Sequence, residues 1–419
     1  MPFADPHHDA AELDFLEDFR QMSAFGATDG GGVDREAATP ADHATREWFA
    51  GRMRDQGLTV GADGIGNLFG TCEFVPDAPF LMMGSHLDSQ PMAGKYDGAY
   101  GVLAAAHAAA RLRAAVEAGT LRPTMNLCVV DWFNEEGSRF GPSMMGSGVY
   151  TGVLDRRTAL ATADRAGVTV AEALGRGPEF PPAELPTPAA YAEIHVEQGR
   201  ELEDARIPAG LVDRTWGARK FRITVRGEQS HTGAALMADR RDALFGASLI
   251  VVAVRRLCAR FGHDELRTAV STLELAPNSP VTIAREVTFQ ADLRSPDEDV
   301  LDAAAELLVE ACREAEQEAS VVVEQDLTHS WGQLAYSTDG VALARKAAED
   351  LELPHMEVMT VAGHDSTNMK DLVPTVMLFV PSVDGLSHNE AEYTRDEDLL
   401  RGVDLLTEVG RRILAGELT

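Results

Sequence analysis

Positive charge is scarce in this sequence. Lysine and arginine together number 37 against 67 aspartates and glutamates, a formal net charge of -30. A chain this acidic repels nucleic acid and anionic membranes, so neither is expected as a partner. Long hydrophobic runs are missing too: no stretch reaches the roughly 18 apolar residues of a membrane span. The start, Met1 to Asp9, is polar and acidic, with neither the basic nor the apolar segment of a signal peptide. Only four cysteines occur, Cys72, Cys128, Cys258 and Cys312, and none forms a CxxC pair. That excludes a cysteine zinc site and a disulfide framework and suits a reducing compartment, so the cytoplasm is expected. There is no internal repeat and no low-complexity tract.

Hydrophobic residues are plentiful, at 45%, enough to bury sizeable cores. At 419 residues the chain exceeds the size at which one core stops growing, so two domains are expected. The first half alternates short apolar runs with helical stretches. Phe80 to Gly84, Met125 to Phe133 and Tyr191 to Val196 read as buried strands, and the alanine-rich Gly98 to Leu112 as a helix. Such alternation predicts an α/β domain with a largely parallel sheet. Glu172 to Pro188, rich in Pro and Glu, reads as a surface loop.

The character changes near Asp213. Phe221 to Val225, Thr268 to Leu275, Val287 to Leu293 and Val321 to Glu324 read as strands. Asp239 to Arg260 and Asp297 to Glu318 read as long helices, the second starting at Ser295-Pro296. The order β-α-β-β-α-β predicts a ferredoxin-like α+β domain inserted into the first. The expected division is therefore 1–212 with 331–419 for one domain and 213–330 for the other. In the returning segment Thr375 to Val380 is one more core strand, and the last helix ends near Leu414.

Four polar clusters follow predicted strands: GSHLDS (Gly84 to Ser89), FNEEGSRF (Phe133 to Phe140), HVEQG (His195 to Gly199) and GLSHNEAEYT (Gly385 to Thr394). Ligands of open α/β sheets bind at the carboxyl ends of strands, so these clusters can converge on one site. Asp97 adds a fifth group, eleven residues after His86. Imidazole and carboxylate donors suit zinc, manganese, cobalt or nickel. Two such ions lie roughly 3.5–4 Å apart when a carboxylate bridges them and activate a water for hydrolysis. Glu135 and Glu136 are adjacent, so in an extended segment they point apart. One can ligate while the other serves as general base.

These motifs resemble the carbamoylase branch of the dinuclear metallopeptidase and aminoacylase clan, which includes N-carbamoyl-L-amino acid hydrolases, β-ureidopropionases and allantoate amidohydrolases. GSHLDSQPMAGKYDGAYG, FNEEGSRFGPSMMGS, HVEQG, GEQSHTGAALMADRRDAL, VAGHDS and FVPSVDGLSHNEAEYT match in order, from about Asp42 to Glu397. The resemblance implies His86 and His195 on one metal, Glu136 and His388 on the other, Asp97 bridging, and Glu135 as base. It implies that the inserted domain dimerises and closes over the site. His231 would then polarise the scissile carbonyl in the partner's active site, answering the need of an oxyanion for a preorganised donor. Arg294 would hold the substrate carboxylate, and Gln198, Gly363 and His364 would line the pocket. The sequence departs from the pattern in places. Val281 stands where relatives usually carry asparagine, Ala284-Arg285 where they carry Pro-Gly, and Arg200 where many carry proline.

The implied activity is metal-dependent hydrolysis of an N-carbamoyl-L-amino acid to the amino acid, ammonia and carbon dioxide, by a homodimer with two divalent ions per chain. The rivals are allantoate hydrolysis, which needs the same machinery, an aminoacylase or dipeptidase, and a catalytically silent metal-binding homologue.

Overall fold

Thr375–Val380 has no charged residue and every position of it is buried, as are all six of Asn126–Asp131. Segments like these can lie only in the middle of a sheet covered on both faces. The computed structural model describes residues 10–418 and places them there. In chain order the strands are β1 Thr59–Ala62, β2 Leu68–Cys72, β3 Phe80–Ser85, β4 Asn126–Asp131, β5 Pro188–Val196, β6 Ala209–Thr215, β7 Gly217–Arg226, β8 Ser230–His231, β9 Arg267–Ala276, β10 Thr282–Ile283, β11 Glu286–Ser295, β12 Val322–Trp331, β13 His355–Thr360 and β14 Thr375–Val380.

Among the described residues eight strands form one sheet, in the order β1-β2-β4-β3-β5-β14-β6-β13. Its centre, β4-β3-β5-β14, is parallel. The margins are not: β1 on β2, β2 on β4 and β6 on β14 are antiparallel. The expected α/β fold with a largely parallel sheet is present, with the parallel run confined to the strands that carry the polar clusters.

Helix Ala99–Glu117 packs on this sheet with Ala99, Ala104, Ala105, Ala106, Ala108 and Ala109 all buried. Alanine allows close approach to the strands and loses no side-chain entropy in a helix. The C-terminal helix Asp396–Leu414 packs beside it and closes the core with Leu399, Val403, Leu406, Val409 and Ile413.

The chain divides into two compact units, one running to Asp213 and resuming at Tyr336, the other Arg214–Ala335. The second holds a sheet in the order β12-β7-β11-β9, antiparallel throughout, with helices Ala243–Phe261 and Glu298–Ala319 packed on it. Its core is separate, built on Ile223, Val225, Phe289, Leu293, Ile250 and Leu308. The segments in order are β-α-β-β-α-β once the two-residue pair β8/β10 is set aside.

Local readings need four corrections. The first long helix starts at Ala243, because Met237–Asp239 is a separate 3-10 turn and the Asp242 carboxylate caps Leu244 and Phe245. The second is capped by Asp297, not by Ser295-Pro296. The last strand of this unit continues past Glu324 to Trp331. Finally, Glu172–Leu174 belongs to a short helix, Val170–Leu174, and not to a loop. Thr169 and Glu172 form its reciprocal capping box.

Candidate metal centre

The loop after β3 delivers His86 and Asp88, β5 itself carries His195, and the residues after β4 supply Glu135 and Glu136. Asp97 precedes helix Ala99–Glu117 by two residues, and His388 follows β14. The return from His86 to Asp97 depends on Gly98. Its φ is +64°, and a Cβ there would lie 2.3 Å from the His86 ring. No side chain other than hydrogen fits between this turn and the imidazole.

Asp97 is the hub. Its Oδ1 lies 3.1 Å from His195 Nε2 and 3.6 Å from His86 Nε2, and its Oδ2 lies 3.3 Å from His388 Nε2. The two carboxylate oxygens thus face different histidines. Glu136 Oε2 is 3.3 Å from His388, whereas Glu135 Oε2 is 3.5 Å from His86. Two groups of possible ligands result, His86–Asp97–His195 and Asp97–Glu136–His388, each with donor atoms within 4.8 Å of one another. His86, Asp97 and His195 are buried, while the His388 side chain is 48% exposed, so one edge of the cluster meets solvent.

The donor set fits divalent cations on three counts. First, Nδ1 of His86 faces the Asp88 carbonyl at 3.0 Å and Nδ1 of His195 the Val196 carbonyl at 2.9 Å. A carbonyl only accepts, so each Nδ1 carries a proton in that bond, which leaves Nε2, the ring atom beside Asp97, as the possible ligand atom. Ligating histidines are commonly held this way. Second, burial lowers the His86 pKa to about 4, so it is neutral and ready to coordinate. Third, acidic groups crowd together here. Burial, then the charges of Asp365, Glu136, Asp88 and Asp97, push Glu135 well above the usual carboxylate range. Burial and Asp97 bring Glu136 to about 7. Burial would also raise Asp97, but hydrogen bonds from His195 and His388 hold it well below. Burial would lower His195 and His388, yet Asp97 raises both to about 9. So much buried negative charge calls for cations.

Several supporting residues carried no signal of their own in the sequence. Asp88 accepts the backbone N–H of Glu135 at 3.1 Å and of Glu136 at 3.3 Å, fixing the turn that sends the two carboxylates apart. Gln90 Nε2 donates to Glu136 Oε2 at 2.9 Å. Glu392 Oε2 accepts the backbone N–H of Tyr96 and Asp97, and the Ser387 hydroxyl lies 2.9 Å from both Glu392 Oε1 and Asp97 Oδ2. Asp88, Ser387 and Glu392 all lie inside the polar clusters. Their position there was the available signal.

The residues expected around the substrate are placed as follows. Gln198 donates from Nε2 to Asp97 Oδ2 at 2.8 Å and to Ser387 at 3.1 Å, so it holds the hub carboxylate. His364 is buried, 4.5 Å from His195 between ring centroids, with Nε2 3.1 Å from the Thr360 hydroxyl. Gly363 is half-buried, and a Cβ there would lie 3.3 Å from the end of Met144. His231 and Arg294 belong to the second unit. His231 is exposed, and its Nδ1 accepts from the backbone N–H of Gly233 and Ala234 at 3.0 and 3.2 Å. That leaves the proton on Nε2, an outward-facing donor. Arg294 Nε and Nη2 donate to Asp292 Oδ2 at 3.0 and 2.7 Å. Val281 and Arg200 are exposed, Val281 next to β10 and Arg200 within 3.3 Å of Asp204.

Fold and ligand groups together define an α/β protein with a candidate two-metal centre, and comparison with known proteins gives its family. The model of peptidase family M20/M25/M40 matches residues 82–412. A Mycolicibacterium smegmatis protein whose name says no more about its activity than hydrolase is 53% identical, over 97% of this chain and 94% of its own. The N-carbamoyl-L-amino-acid amidohydrolase of Paenarthrobacter aurescens is 32% identical, over 94% and 96%. The allantoate amidohydrolase of Escherichia coli is also 32% identical, over 92% and 94%. A crystal structure of an amidase of the hydantoinase/carbamoylase family from Burkholderia vietnamiensis superposes with a TM-score of 0.90 at 33% identity, covering 96% of this chain and 97% of that one. The chain belongs to the M20/M25/M40 family, in its carbamoylase branch, and is a hydrolase of carbon–nitrogen bonds other than peptide bonds.

Proposed function

We propose that the protein hydrolyses an N-carbamoyl-L-amino acid to the amino acid, ammonia and carbon dioxide, with two divalent ions per chain. The observation that carries this is the division of labour between neighbouring carboxylates: Glu136 turns to His388, while Glu135 stands by His86 outside both ligand groups. A hydrolase needs such a spare base and a metal-storage protein does not.

In this reading His86, Asp97 and His195 hold one ion and Asp97, Glu136 and His388 the other. Bound ions, zinc, manganese, cobalt or nickel by donor type, would supply Lewis acidity, lowering a water's pKa toward ~7 and polarising a carbonyl. Glu135 takes the proton of the attacking water and returns it to the leaving nitrogen. Gln198, Ser387 and Glu392 keep Asp97 oriented. Gly363 and His364 line the pocket, Arg294 receives the substrate carboxylate, and His231 offers Nε2–H to the developing oxyanion. The four cysteines, all free thiols, suit the cytoplasm.

Allantoate is the second reading, because the two named activities come from relatives equally identical to this chain. Metal-loaded protein should release ammonia and the free amino acid from N-carbamoyl-L-amino acids faster than it releases ammonia from allantoate. The reverse order assigns allantoate. Release of a carboxylic acid from N-acyl amino acids without ammonia would replace both readings by an aminoacylase.

A homodimer belongs to the proposal, with the Arg214–Ala335 unit as dimerisation domain and lid. Leu236 and Met237, close after His231, and Leu244, Phe245 and Val252 of helix Ala243–Phe261 are all exposed. Large apolar side chains exposed along one helix and the turn before it are what a partner surface would cover. Light scattering should give a dimer at assay concentration. His231→Ala should remain dimeric and lose about 10²-fold or more in kcat, as loss of one oxyanion donor does. A fully active monomer would refute the shared site.

A further inference from the structure

Two arginines face each other at one end of the second unit's sheet. In the register of β11 on β9, Arg294 lies directly opposite Arg267. Side chains so opposed share a face, with Cβ atoms about 4.5–5.5 Å apart, and like charges there repel. The face is the one without helices. Next to them in the ladder, Leu293 is buried and the Thr268 hydroxyl donates to the Val254 carbonyl of helix Ala243–Phe261. Arg267 and Arg294 therefore point the other way.

Asp292, two residues along the same face, receives Nε and Nη2 of Arg294 and lies 4.0 Å from the Lys220 ammonium. Arg267 is exposed, and its guanidinium carbon lies over the ring of Trp216, 4.8 Å from the centroid. Trp216 is itself buried, so the guanidinium rests on a fixed aromatic platform, which restrains it without discharging it. An exposed guanidinium, held in place and opposite a second one, suits an incoming carboxylate, whose geometry matches the planar fork.

We propose that Arg267 and Arg294 form one carboxylate-binding subsite, in which Arg267 supplies the guanidinium held ready on Trp216. The proposal rests on the reading of the protein as a ureido-acid hydrolase with Arg294 at the substrate carboxylate, and deepens it. Substrates carry a free carboxylate, and selection for that group comes from two arginines acting together.

The test reads binding without turnover, by calorimetry on the Glu135→Gln variant loaded with metal, using an N-carbamoyl-L-amino acid and its carboxamide. Adding Arg267→Ala should weaken binding of the acid about ten-fold or more, the size of a lost hydrogen bond to a charged group, and change the amide far less. Arg267→Lys should recover only part of the loss, because it restores the charge and not the fork. Thermal unfolding of each variant shows whether the fold is intact. Arg294→Ala runs in parallel. If it removes the preference for the acid and Arg267→Ala does not, the two-arginine subsite falls while the proposed function stands. If neither variant changes the preference, or neither compound binds the parent, both fall.

Discussion

Replacing Glu135 with glutamine is expected to leave the metal content unchanged and to lower kcat by about 10²–10⁴-fold, the usual contribution of general acid–base catalysis. Carboxylate and carboxamide are nearly isosteric, so the side chain keeps its place and loses only its ability to take a proton. The backbone will not move either, because the Glu135 N–H is fixed by Asp88 and its carbonyl accepts from Met144 N at 2.6 Å. The neighbouring change separates the two roles. Glu136→Gln alters a residue 3.3 Å from His388 inside a ligand group, and should lower metal occupancy as well as rate. Elemental analysis beside steady-state kinetics gives the answer. Loss of metal from Glu135→Gln with retention in Glu136→Gln would reverse the assignment.

Removing a histidine should have the larger effect. His195→Ala deletes a buried imidazole whose Nδ1 is fixed by Val196 and leaves His86 and Asp97 as an incomplete set. His388→Ala leaves Asp97 and Glu136, two carboxylates with no imidazole. Each variant should lose metal, and with it turnover, beyond the 10–100-fold typical of disturbing an outer partner. The His388 variant should keep its fold better, since that side chain is half exposed and the His195 side chain is buried. Undiminished metal in both would exclude these histidines as ligands.

Much of this was legible because strand ends announce themselves. Apolar runs such as Thr375–Val380 stop where polar residues begin, and the clusters that follow carry the histidines and carboxylates. Adjacency alone did not decide the orientations of Glu135 and Glu136: the segment is a bend and not extended backbone, and Asp88 holds it so that the two carboxylates face different histidines. The supporting network was less legible. Asp88, Ser387 and Glu392 are residue types that usually sit in water, and only the fold shows that they brace a ligand or its backbone. The antiparallel margins of the main sheet were also missed. β1 is four residues, Thr-Val-Gly-Ala, too short for a period to emerge, and β6 includes Gly210 and Asp213. Helix Ala243–Phe261 was read four residues too long at its start, because the polar stretch Ala238–Asp242 continues its pattern while the backbone is already capped. Arg267 lies in no motif of the sequence, and only the strand register sets it against Arg294.

The central claim is that two bound ions make this cluster a catalyst for ureido carbon–nitrogen hydrolysis. Chelator-stripped protein titrated with manganese or zinc, with ammonia release from an N-carbamoyl-L-amino acid followed at each step, tests it most directly. The account predicts negligible release without metal and full release at about two ions per chain, the number served by one bridging carboxylate. Unchanged turnover in the stripped protein, or full activity at one ion per chain, would contradict it.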